Sequence, residues 1–179
     1  GRQARGGGVT SVAAALPAAL LVALAAVPAA AAKVPVLEGT VRYVADGDSL
    51  GFAPTRGGPP LAVRLHGVDA PEICQAWGPE ARAALQRKVA GRTLRLQVRG
   101  RDDRGRLLAQ LRDGEVDIGQ RLVAQGHAWS HRFRHDRGPY VQQERVAQAL
   151  GRGLHAEPGV RTPREFRRVH GSCPPAAAR

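Results

Sequence analysis

The stretch Leu61-Ala62-Val63-Arg64-Leu65-His66-Gly67-Val68-Asp69-Ala70-Pro71-Glu72 alternates and then stops alternating. Leu61, Val63 and Leu65 fall on one side, and Ala62, Arg64 and His66 on the other. This is the period-two pattern of a strand with one buried face. From Gly67 the chain runs into a loop that carries Asp69 and Glu72. The same alternation returns downstream, where Leu94, Leu96 and Val98 oppose Arg95, Gln97 and Arg99. It returns again where Leu107, Ala109 and Leu111 oppose Arg106, Leu108 and Gln110. The segment from Val36 to Val98 reads mostly as strands, so a half-buried antiparallel sheet or barrel is expected. Arg64, Arg95, Arg99 and Arg106 stand opposite the apolar sets, which puts them on the outer face or the rim.

Three helices are expected around the strands. Gly78-Pro79-Glu80 opens the first, because proline suits the first helical position and an acid favours the positive helix end. Ala81, Ala84, Leu85 and Val89 form its apolar stripe, and Gly91 ends it. Asp117 caps the second, with Gln120 three residues on as a capping box; Leu122 and Val123 pack inward, and Gly126 stops it. The third runs from Tyr140 to Leu150 and ends at Gly151 and Gly153. The tail from His155, rich in Pro and Arg, reads as irregular. The fold class is α+β, mainly β: a five-stranded OB-type barrel with about three α-helices, an architecture that often binds nucleic acid.

Composition narrows the setting. The chain has 179 residues, room for one ordinary domain and a tail. Lys and Arg number 27 against 15 Asp and Glu, a formal charge of +12, and only Lys33 and Lys88 are lysine. Periodic Val and Leu positions exclude a disordered polyelectrolyte. Two cysteines exclude a small disulfide framework. An excess made of arginine points to phosphate, because the planar guanidinium fork matches phosphate oxygens and stays charged when partly buried.

Residues 1–32 read as an address. Arg2 and Arg5 precede 27 uncharged residues, Gly6 to Ala32, and the segment ends in Val27-Pro28-Ala29-Ala30-Ala31-Ala32 before Lys33. That is the order of a secretory signal peptide, with an uncleaved membrane anchor as the alternative. Export is expected on either reading, to the periplasm or beyond. An oxidising compartment then favours a Cys74–Cys173 disulfide. Closing so long a loop contributes roughly 4–5 kcal/mol in the chain-entropy picture, less any strain. The expected organisation is a leader over 1–32, a barrel domain over 33–155, and a Pro/Arg-rich tail over 156–179 tied back by the disulfide.

Three short stretches carry chemistry together: Asp46-Gly47-Asp48-Ser49 in a turn, Arg64 to Glu72 in a strand and loop, and Asp102-Asp103-Arg104-Gly105-Arg106. Asp48 and Asp69 offer carboxylates to a hard cation, and the Ala70 carbonyl adds a further oxygen. Glu72 can take a proton from water. Arg64 and Arg106 can clamp phosphoryl oxygens as charge develops. This is the set that phosphodiester hydrolysis requires. The run Arg99, Arg101, Arg104 and Arg106 offers a phosphate-binding track.

The order Asp-Gly-Asp-Ser, Arg-Leu-x-Gly-Val-Asp-Ala-Pro-Glu, Gly-Pro-Glu-Ala and Asp-x-x-Gly-Arg resembles the thermonuclease family, the staphylococcal nuclease-like domains, over about Val36 to Leu154. Pro163-Arg164-Glu165-Phe166-Arg167-Arg168 is similar to the tail of bacterial members. The resemblance implies an OB-fold and a Ca2+-dependent endonuclease that acts on DNA and RNA with little base specificity and leaves 3′-phosphates. It implies Asp48, Asp69 and the Ala70 carbonyl as calcium ligands, with Asp46 reaching the ion through water. Arg64, Glu72 and Arg106 resemble the catalytic trio. Expected partners are DNA and RNA, preferably single-stranded, with no obligate protein partner, the chain acting as a monomer. A membrane enters only if the leader is retained. Two departures stand out: the family often has Thr where Ala70 stands, and Arg104 and the Ser130-His131-Arg132-Phe133 stretch replace tyrosines beside the base. The competing class is a non-catalytic nucleic-acid-binding module on the same barrel.

The remaining histidines read more plainly. His127, His131 and His135 recur every four residues, a spacing that could bind a transition metal on a helix, but Gly126 has just ended one. His155 and His170 read as surface residues.

Overall fold

The alternating segments pair into a closed barrel. In the computed structural model, residues 34–156 and 158–173 are described, with Gly1, Gln3, Gly7 and Gly8 as isolated positions. The leader therefore lies outside the described residues. Strand β1 (Val36–Val44) pairs antiparallel with β2 (Ser49–Pro54) on one side and β5 (Leu94–Arg101) on the other. Strand β2 continues to β3 (Leu61–Leu65), and β5 continues to β6 (Leu107–Asp113). Strands β3 and β6 then meet side by side in parallel, closing a five-stranded mixed barrel of OB type. Short strands β4 (Val68–Asp69) and β8 (Trp129–Ser130) form a separate ribbon, and β7 (Val116–Asp117) hairpins back on β6.

The inward residues are those the alternation assigns. Val63, Leu65, Leu94, Leu96, Ala109 and Leu111 are buried, with Phe52 among them. Each fully buried Leu contributes roughly 1.5–3 kcal/mol by removing apolar area from water. Helix α1 (Gly78–Val89) closes one part of the core with Ala81, Ala84 and Leu85. Its first residue must be glycine for a local reason: a Cβ there would stand 2.0 Å from the Glu72 carbonyl oxygen. Helix α2 (Ile118–Ala124) adds Leu122 and Val123 to the core. Asp117 caps it, accepting from the Gln120 backbone at 3.1 Å, and its other oxygen accepts from the Tyr140 hydroxyl at 2.8 Å. That second bond anchors the start of α3 (Val141–Ala149).

The end of the chain departs from the irregular course expected of it. A fourth helix, α4, spans Pro163–His170, after a short 3-10 turn at Gly153–His155. Thr162 and Glu165 form a complete capping box and Pro163 occupies the first turn, which is a strong start signal. His155 departs too. It is half-buried, its ring meets Trp129 edge-on at 6.2 Å, and burial pushes its pKa down. The described residues from Val34 to Cys173 form one compact unit, and none of their helices is long and apolar enough to cross a membrane.

Candidate active site

Strand register brings the distant motifs to one rim. Ser49 pairs with Arg64 across β2 and β3, and Arg64 pairs with Leu108 across the parallel β3–β6 closure. Arg106 stands at the entry to β6, so it arrives beside Ser49. Its guanidinium donates to the Ser49 hydroxyl at 3.1 Å. The turn before β2 is held by the Asp46 carboxylate, which accepts from the Asp48 backbone at 3.0 Å. Gly47 in that turn packs tightly, because a Cβ there would lie 2.6 Å from the Ala70 Cβ. The turn, the loop after β4 and the start of α1 are thereby locked together.

Asp48 is the most enclosed of the cavity acids, at 3 % exposure. Its Oδ1 accepts from Arg64 at 2.9 Å and from the Ser49 hydroxyl, and its Oδ2 accepts from the Ala70 backbone at 3.0 Å. Asp69 accepts from the other guanidinium nitrogen of Arg64 at 3.2 Å. Arg64 therefore bridges the two carboxylates. Burial works against its charge, but Asp48, Asp69 and Asp46 outweigh that and raise its pKa above the ordinary guanidinium value. Three acids share this one cation, and the negative charge is not fully met. Burial, then repulsion from Asp48, pushes Asp46 up to about 6. Burial and Asp48 likewise push Asp69 up, against the pull of Arg64.

These residues line a cavity of about 570 Å³ with polar walls. Asp46, Asp48, Arg64, Asp69, Ala70, Glu72 and Arg106 all face it, so the sequence-derived set converges. Arg101 and Arg104 also line it. Arg99 does not; its guanidinium turns to the Gln110 side chain. For three further lining residues the sequence offers a stretch but no catalytic role. Asp102 holds Arg106 by two bonds, from its Nε at 2.8 Å and from its backbone at 2.9 Å. His131 reaches the cavity because its backbone donates to the Gly67 carbonyl at 2.9 Å, extending the β4–β8 ribbon. Arg167, from α4, pairs with the Glu72 carboxylate. Of the other histidines in the i, i+4 series, His127 accepts from the Trp77 indole at 3.3 Å and His135 is exposed. The series marks no helix face.

The donor set fits a hard cation. It consists of carboxylate and carbonyl oxygens around uncompensated negative charge, the chemistry that calcium prefers. Among the described residues no group of three or more His, Cys, Asp or Glu side chains makes a closed metal cage. Two carboxylates, a carbonyl and waters need no such cage.

An OB barrel whose rim gathers carboxylates, a glutamate and two arginines defines a nuclease-class domain. The match with known proteins agrees: residues 62–157 fit the family model described as staphylococcal nuclease homologue. The chain belongs to that family. It is 36% identical over 126 residues to an uncharacterized endonuclease of Haemophilus influenzae, covering 70% of each chain. It is 34% identical over 163 residues to the protein ParB of Escherichia coli, covering 84% of this chain and 88% of the relative. It is also 31% identical over 106 residues to the probable staphylococcal-like nuclease CAN2 of rice, covering 59% of this chain. The chain spans only 29% of that rice relative's length.

Proposed function

We propose that this protein is an exported, calcium-dependent endonuclease that hydrolyses phosphodiester bonds in DNA and RNA with low base specificity, preferring single strands and acting as a monomer. The observation that supports it best is the meeting of Asp48, Asp69, Arg64, Glu72 and Arg106 around one polar cavity. A pure binding module has no need for all five. Export rests on the leader-like residues 1–32 and agrees with the Cys74–Cys173 bridge.

Asp48, Asp69 and the Ala70 carbonyl would hold the calcium ion, with Asp46 behind them. Bound there, the ion would neutralise the acids and polarise a phosphate oxygen. Glu72 takes a proton from water, whose oxygen forms the new P–O bond as the old one breaks; the leaving oxygen takes a proton from solvent, to which Glu72 returns its own. With the acids so neutralised, Arg64 would be available to the phosphate as well as to Asp48 and Asp69. Arg106, already fixed by Asp102, needs no such neutralisation. Together they stabilise the extra negative charge at phosphorus. The exposed Arg101 and Arg104 extend the contact along the backbone of the nucleic acid. Affinity should therefore fall steeply with salt.

The test is Glu72→Gln, assayed for both binding and cleavage of a single-stranded oligonucleotide. Binding should persist while cleavage falls by about 10²–10⁴-fold, the usual worth of a general base. Near-normal cleavage in the folded variant would remove Glu72 from the mechanism. Binding with no cleavage by the unaltered protein would make it the non-catalytic module.

A further inference from the structure

The loop that carries Glu72 is tied to the C-terminal segment at three places. Cys74 is bridged to Cys173 across 99 residues. Gln75, itself buried, accepts from the Glu72 backbone at 3.2 Å and donates to the Arg161 carbonyl at 2.6 Å. Arg167 of α4 pairs with the Glu72 carboxylate, and both line the cavity. Among the described residues Arg167 is the sole hydrogen-bond partner of that carboxylate. Asp46, Asp48 and Asp69 are fixed from within the barrel, by Arg64 and by backbone amides.

The Arg167–Glu72 pair has little to offer stability. Its side chains are 39 % and 23 % exposed, so solvent screens it. Its consequence is geometric. A glutamate on a loop has three rotatable side-chain bonds, and a general base must stand within hydrogen-bond reach of the proton it takes. A single fixed partner selects one orientation. The cost of ordering the tail is met elsewhere, by the disulfide and by the capping box at Thr162.

We infer that Arg167 is a positioning residue for Glu72, and that the disulfide-pinned helix α4 is a working part of the active site that delivers it. This rests on the nuclease reading of the same cavity. The tail then does what no barrel strand does here, which is to hold the Glu72 carboxylate. The contact is single-pronged, so a lysine can replace it.

The experiment compares Arg167→Gln and Arg167→Lys with the unaltered protein, by steady-state cleavage at several salt concentrations and by crystal structures. For Arg167→Gln, kcat should fall by about 10- to 100-fold, as expected when a reacting group loses its alignment. KM and the salt dependence should stay near those of the unaltered protein. Arg167→Lys should recover most of the loss. The Glu72 carboxylate should be turned toward Arg167 in the unaltered crystal and scattered or displaced in Arg167→Gln. A raised KM with a shallower salt slope and unchanged kcat would overturn the inference, making Arg167 a phosphate contact. Unchanged or faster turnover, or an undisturbed Glu72 in the Arg167→Gln crystal, would overturn it as well. An inactive unaltered protein would instead sink the nuclease reading, while the crystals would still report on Glu72.

Discussion

The two walls of the cavity are built by different means. The barrel wall, with Asp48, Arg64 and Arg106, is set by ladder pairs: Ser49 against Arg64, and Arg64 against Leu108. Its charged groups interlock and are largely buried. The other wall, with Glu72 and Arg167, hangs on a loop and a terminal helix joined by a long-range crosslink. Sheet hydrogen bonds place the residues proposed to hold metal and phosphate, independently of the tail contacts. The proposed general base, Glu72, has its one side-chain partner among the described residues on the tail. Binding and turnover should therefore be separable by where the molecule is cut or changed.

Changes on the barrel wall should give the larger loss after Glu72 itself. Arg106→Gln should lower kcat by about 10²-fold or more, the typical worth of one charge-stabilising donor. It should leave the fold intact, which circular dichroism and a melting curve would check. A loss confined to KM would move Arg106 out of the transition state and into ground-state binding.

Removing the crosslink should act on the other wall alone. Cys74→Ser with Cys173→Ser should lower stability by about 4 kcal/mol or less, read by denaturant unfolding. Turnover should fall about as far as in Arg167→Gln, with oligonucleotide affinity nearly kept. An equal loss of affinity would mean that the tail supports the barrel wall too, and would break the comparison.

The smallest effect concerns pH. Asp46 holds its proton up to about 6 in the folded chain, against 3.8 for the free side chain. The calcium-free protein therefore gains from a protonated Asp46 below about pH 4 and loses that gain as pH rises through about 6. The loss is of the order of 2–3 kcal/mol at most. Melting curves of Asp46→Asn in chelator should pull ahead of the unaltered protein between pH 4 and 7. Calcium should close the gap at neutral pH. Parallel curves at every pH would show that the acids are already neutralised without metal.

The barrel wall was legible in the sequence for the same reason it is rigid. Leu61, Val63 and Leu65 alternate with Arg64, so strand, buried face and outward charge are read at once. The tail wall was not. Helix α4 has only Phe166 and Val169 as large apolar residues among its arginines, too few to show a buried stripe. Its start was nonetheless written in Thr162-Pro163-Arg164-Glu165. The pairing of Arg167 with Glu72 spans 95 residues, and no local pattern encodes it. The cysteine pair was the one signal that the tail returns. His131 was read by its spacing from His127 and His135, whereas its position follows from the β4–β8 ribbon, whose two-residue strands are too short for periodicity to reveal.

The central claim is that these walls form one calcium-dependent hydrolytic site. The most direct measurement follows cleavage of a single-stranded DNA or RNA in calcium, then in excess chelator, then with calcium restored. Cleavage should stop on chelation and resume on restoration. Digestion that continues unchanged in chelator, or none at all in calcium, would contradict the account.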